Sequence, residues 1–131
     1  GIPETSMRQV RTLAVKNYND GNYKDAADIF FLLSLIDWKL PYHWNSLGHA
    51  EYYSKNYRDA LKAYKAASLL DIKDPKPLLH SAHCYEKLGD TKIAIDLLLE
   101  ALPLTSDPFY YDYEVPIKNL LNHLRSEYDK D

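Results

Sequence analysis

Cysteine is almost absent from this 131-residue chain: Cys84 stands alone. No internal disulfide can form, and a lone thiol fits a reducing compartment. No apolar run approaches the ~20 residues of a membrane span. The four glycines are scattered, so there is no phosphate loop, nucleophile elbow or GxGxxG turn. Neither sign of charge dominates; 16 basic and 19 acidic residues give a net charge of −3. Without a basic stripe, nucleic acid is not an expected partner. The start, Gly1-Ile2-Pro3-Glu4-Thr5-Ser6, has neither an initiator Met nor an apolar leader, so sequence is expected upstream of Gly1. What is present is 46% hydrophobic and 27% charged residues, a composition that folds, at a length suited to one domain over 1–131.

Self-similarity is strong. Rows of 34 residues beginning at Met7, Pro41 and Pro75 align without a gap. One column holds Ala26, Ala60 and Ala94, and another holds the small residues Ala14, Gly48 and Ala82. Phe30, Tyr64 and Leu98 form a large column, followed three places on by Leu33, Ala67 and Ala101. The turn column reads Gly21, Lys55 and Gly89, and two places later stand Tyr23, Tyr57 and Thr91. Asp20, Ser54 and Leu88 share a column with no common character. Agreement confined to certain columns marks a repeat rather than a composition bias.

Trp44, Leu47, Gly48, Ala60, Tyr64 and Ala67 give the second row the tetratricopeptide signature. The fold class read here is all-α: three tandem tetratricopeptide repeats in a right-handed solenoid, over about 7–40, 41–74 and 75–108, plus a C-terminal capping helix over about 115–128. Small residues sit where paired helices cross closely, and large ones fill the space beside them. Helices are predicted near 6–19, 24–36, 42–53, 58–70, 76–88 and 91–102. Pro41 and Pro75 open repeats in the first helical turn, where a missing N–H costs nothing. Pro103 and Pro108 then interrupt the pattern before a Tyr-rich loop over 109–113. Pro116 can start the last helix, with Ile117, Leu120, Leu121, Leu124 and Tyr128 on its apolar face.

The register sorts the twelve tyrosines. Tyr23, Tyr57, Tyr64 and Tyr85 fall in columns that pack between helices. Tyr18 and Tyr52 share a column on the inner face of each repeat's first helix, where no packing duty is expected. Tyr53, Tyr42, Asn45 and His49 extend that face. Arg8, Arg11 and Val15 occupy equivalent columns in the first repeat, and Lys76, Leu79, His80, His83 and Glu86 in the third. The candidate partner-peptide site is therefore Tyr18, Tyr42, Asn45, His49, Tyr52, Tyr53, Leu79 and His83. Rings offer shallow pockets for Pro or Leu, and polar side chains bond an extended backbone.

No catalytic, cofactor or metal site is expected. His80, His83 and Cys84 are close on one helix, but Cys84 shares a column with the core residue Ala50, which makes it a buried thiol rather than a ligand or nucleophile. Asp25 and Asp28 read as a solvated outer face. A clamp for a C-terminal carboxylate is disfavoured: it needs Lys, Asn and Arg on inner columns, where Val15, Ser46 and His80 stand.

Three stretches carry a finer resemblance: Gly1-Ile2-Pro3, Tyr18-Asn19-Asp20-Gly21-Asn22-Tyr23-Lys24-Asp25-Ala26, and Asp71-Ile72-Lys73-Asp74-Pro75 with His80-Ser81-Ala82-His83-Cys84. With three repeats and a last helix, the whole chain resembles the class II chaperones of bacterial type III secretion, which serve pore-forming translocators. The resemblance implies a cytoplasmic, ATP-independent chaperone, not an enzyme. It would hold an extended Pro- and Leu-containing translocator segment in its concave groove, at positions matching Tyr18, Asn45, His49 and Tyr52, and keep that protein soluble and secretion-competent without binding the membrane itself. It also implies homodimerisation, often through a helix ahead of the first repeat, which would lie upstream of Gly1. Ser81, Thr91 and Pro103 depart from the pattern, so the third repeat contributes least clearly. The alternative is a tetratricopeptide scaffold or co-chaperone in a secretion or pilus assembly.

Overall fold

A computed structural model describes residues 1–130. The first compact unit, Gly1–Leu70, holds four helices: α1 (Glu4–Asn19), α2 (Tyr23–Ile36), α3 (Pro41–Tyr53) and α4 (Tyr57–Leu70). The second, Asp71–Asp131, holds α5 (Lys76–Leu88), α6 (Thr91–Ala101), two 3-10 turns (Leu102–Ser106 and Pro108–Tyr113) and α7 (Glu114–Tyr128). No strand occurs among the described residues. The fold is all-α, and the repeat helices begin and end within two residues of the predicted limits.

The turn within each repeat is one structure used three times. Gly21, Lys55 and Gly89 take the left-handed conformation, with φ of 82°, 66° and 83°. The following N–H then reaches back five residues: Asn22 to Asn17 at 2.8 Å, Asn56 to Glu51 at 2.9 Å and Asp90 to Tyr85 at 2.9 Å. This Schellman closure satisfies carbonyls that the helix end would leave bare. The carbonyls of Asn22, Asn56 and Asp90 in turn accept from Ala26, Ala60 and Ala94, so one residue ends a helix and begins the next. Lys55 holds a position that favours glycine, at a cost of about 1 kcal/mol.

In the first unit α1 packs on α2, α2 on α3 and α3 on α4. Its core gathers Met7, Ala14, Ala26, Ala27, Phe30, Leu33, Leu47, Ala50 and Ala63. Gly48 marks a close helix crossing. A Cβ there would stand 2.7 Å from Cδ1 of Tyr64, a ring only 2% exposed. In the second unit Ile117, Leu121 and Leu124 of α7 join Leu78, Ala82, Ala94 and Leu98 in one core, which is the covering role expected of the last helix. Two details differ from the sequence reading. The helix starts at Glu114, with Pro116 still inside the first turn where its missing N–H has no partner to lose. Tyr128, assigned to the apolar face, is 48% exposed, because it lies in the last turn beyond the final core contact at Leu124.

His43 is buried completely on α3, its Nδ1 3.4 Å from the Asp37 carbonyl and its Nε2 without a hydrogen-bond partner. Burial pushes the imidazole below its ordinary value, while Asp37 pulls it back up.

Two measurements follow. Gly48→Ala should lower stability by about 1–2 kcal/mol in chemical denaturation, overpacking against Tyr64 outweighing the helix propensity that alanine gains. Because folded His43 resists protonation, the unfolded chain takes up the proton first. Stability is full above about pH 6.5 and falls as pH drops below it. The unfolding midpoint should therefore decline between neutral and mildly acid pH, and His43→Leu should flatten that decline.

Candidate functional site

In the first unit the inner faces of α1 and α3 enclose two adjoining hollows. The larger, about 510 Å³, is lined by Arg8, Arg11, Thr12, Val15, Leu40 and Tyr42. The smaller, about 190 Å³, is lined by Val15, Tyr18, Phe30, Tyr42, Ser46 and His49. Val15 and Tyr42 belong to both, so they form one trough with an aromatic end and a basic end. Arg11 is held by an ion pair to Glu4, one side of which is solvent-exposed.

His49 is fixed rather than loose. Its Nδ1 lies 2.7 Å from the Tyr64 hydroxyl, with the rings 5.4 Å apart. The ring that excludes a side chain at Gly48 therefore also orients His49 toward the trough. Asn45, one turn earlier on α3, is half-buried, and its Oδ1 is screened from solvent without a hydrogen-bond partner. Tyr42 is 48% exposed and meets the His43 ring edge-on at 5.8 Å.

The tyrosines divide differently from the sequence reading. Tyr18 was given no packing duty, but it meets Tyr23 at 5.3 Å and Tyr53 at 6.0 Å, edge to face. Tyr23 stacks on Tyr53 at 5.2 Å, and Tyr52 meets both Tyr53 and Tyr57 at 5.4 Å. The result is one chain of rings running from Tyr18 to Tyr57. The repeat register places Tyr18 and Tyr23 on opposite sides of a turn, and the tight Schellman closure folds them back together. Burial raises the Tyr18 phenol above its ordinary value, with Tyr53 and Tyr23 adding to the shift. Tyr18 thus both packs and lines the trough, while Tyr52 and Tyr53 pack behind it in the ring chain.

Leu79, assigned to the groove, is instead 5% exposed and packs in the core with Leu78 and Ala82. That core also takes residues of α6 and α7, and α6 packs directly on α5. His83 keeps a half-exposed side chain, its Nδ1 3.7 Å from Glu86 Oε1. The other Glu86 oxygen is 3.8 Å from Nε2 of His123 on α7, a residue the sequence reading passed over because nothing in the repeat register reaches it. Lys76 lies 3.7 Å from Asp74 and over the Tyr113 ring. Cys84 is fully buried and its thiol is pushed up to about 12 by that burial, so it is not a ready nucleophile. Among the described residues no group of three His, Cys, Asp or Glu is placed to hold a metal, and no helix is long and apolar enough to cross a membrane.

The ring chain has a measurable strength. Tyr53→Ala, which removes contacts to Tyr18, Tyr23 and Tyr52, should cost about 1–2 kcal/mol in denaturant unfolding. A bystander tyrosine on the surface would move stability by no more than about 0.5 kcal/mol.

No family model and no curated protein sequence matches the chain. Solved structures do. PcrH in complex with the chaperone binding region of PopD matches with a TM-score of 0.90 and 26% identity, covering 100% of this chain and 98% of that one. PcrH from Pseudomonas aeruginosa matches with a TM-score of 0.88 and 26% identity, over 95% of this chain and 96% of that one. The translocator chaperone SycD of Yersinia enterocolitica type III secretion matches with a TM-score of 0.88 and 24% identity, over 98% and 90%. These neighbours are chaperones rather than enzymes. From end to end, the chain has the fold of the translocator chaperones of type III secretion systems.

Proposed function

We propose that this protein is a type III secretion chaperone that binds an extended segment of a hydrophobic translocator and keeps it soluble and secretion-competent in the bacterial cytoplasm. The observation that carries the reading is the fold shared, over the full length, with a PcrH captured on the chaperone binding region of PopD. The trough supplies the means. Tyr18, Val15 and Phe30 offer an apolar recess for a Pro or Leu side chain, with Tyr42 at its mouth. Asn45 lies on α3 between Tyr42 and His49, which both line the trough. His49, held by Tyr64, lines the same recess. Arg8 and Arg11 at the other end suit carbonyls or acidic residues beyond the anchor. Tyr53 holds Tyr18 in place and Tyr52 backs Tyr53, and His83 of α5 is the candidate contact in the second unit. No bond is made or broken in this work, so binding alone suffices.

The test uses positions that line the trough without supporting the core. Tyr42→Ala with Ser46→Glu should weaken binding of a translocator's chaperone-binding segment by at least about 10-fold in calorimetric titration, with the unfolding midpoint unchanged. Co-expression should show the same variant leaving the translocator insoluble. Unchanged affinity would remove the trough from the mechanism.

A further inference from the structure

On the other side of the first unit, between α2, α3 and α4, lies a separate slot of about 320 Å³. Its walls are Phe31, Trp44 and Leu47, and its charged lining is Asp28, Glu51 and Asp59 against the single cation Lys62. Lys62 lies 3.8 Å from Asp59, so the slot carries an excess of negative charge on apolar walls. Glu51 bears most of the consequence: burial holds its carboxyl above the ordinary range, and the charges of Asp59 and Asp28 push the same way against a hydrogen bond from Asn56. The wall is rigid, because Trp44 Nε1 donates to the Trp38 carbonyl at 2.7 Å. Beside the slot α2 carries Phe31, Leu32 and Leu35, each more than half exposed at helical spacing.

We propose that this slot is a second docking site, which takes the Lys or Arg side chain of an amphipathic partner helix. Charge complementarity selects the occupant. The aliphatic stem of Lys or Arg lies along Leu47 and the rings of Trp44 and Phe31, and its head reaches Glu51 and Asp59, restoring the charge balance that the acids alone lack. The apolar face of the same helix covers Phe31 and Leu35. An acidic or purely apolar segment gains nothing from the carboxylates. The site is separate from the trough and stands whether or not a translocator is its client.

The two tryptophans, Trp38 and Trp44, make the test direct. In Trp38→Phe the remaining indole is the slot wall, and the Trp38 carbonyl that anchors it is backbone and survives. Titration with a short amphipathic helical peptide of Leu and Lys should give a saturable change in Trp44 emission, whereas the matching Leu and Glu peptide should give none. Glu51→Gln with Asp59→Asn should weaken the Lys peptide by at least about 10-fold. The charge-matched control Glu100→Gln with Asp112→Asn, on the second unit, should leave its affinity unchanged. Equal weakening by both pairs would mean diffuse attraction to an acidic protein and would overturn the proposal, as would an unsaturable titration. A dimer seen by sedimentation without peptide, and lost in Glu51→Gln with Asp59→Asn, would assign the slot to a second copy and overturn it equally.

Discussion

The Tyr64 ring lying over Gly48 is the contact on which the first unit and its trough both depend. Tyr64 is a large side chain that is almost wholly buried, and α3 can approach α4 closely only because residue 48 has no Cβ. The same ring ends in a hydroxyl that must find a partner in a dry interior. It finds one in His49, the next residue along α3. A packing requirement thereby becomes a positioning device: the close helix crossing sets where Tyr64 lies, and Tyr64 sets where His49 points. Val15 and Tyr42 then complete a trough whose shape is given by the crossing rather than by mobile loops. Such preorganisation lowers the ordering cost of capturing an extended, flexible chain.

Repetition spreads the same physics along the chain. Each left-handed turn residue closes a helix by the same reach-back bond and hands the next helix its first acceptor. The alanine columns lie at zero exposure where helices cross. In the second unit α7 covers the apolar side of α6. His43 and Asn45 on α3, and Ser54 at its C-terminal end, each keep a buried side-chain polar atom without a hydrogen-bond partner.

The sequence made the fold readable because periodicity of small and large residues is a direct image of helix crossing. Gly48, Tyr64, Ala26 and Ala60 could be placed from their columns alone. The turn column was visible too, although Lys55 disguised its left-handed geometry, and the dual role of Asn22, Asn56 and Asp90 became clear only through their hydrogen bonds. The site was less legible. Column position gives the face of a helix and not its surroundings, so the column puts Leu79 in the groove when it lies in the second unit's core, and separates Tyr18 from Tyr23 when the turn brings their rings together. The outer slot was invisible for a related reason: Asp28, Glu51 and Asp59 sit on three helices, and each alone reads as a solvated acid. The finer resemblance to translocator chaperones came from short stretches such as Asp71 to Pro75, and the end-to-end fold likeness to PcrH and SycD agrees with it.

The central claim is that an extended client segment lies in the trough between α1 and α3. A photo-crosslinking side chain placed at Ser46, inside the trough, tests it most directly against one placed at Lys24, on the exposed start of α2. Incubation with a translocator's chaperone-binding segment should give a covalent adduct from position 46 and not from position 24, with the adduct mapping to an apolar Pro- or Leu-containing stretch of the segment. Adducts at 24 with none at 46 would contradict the account.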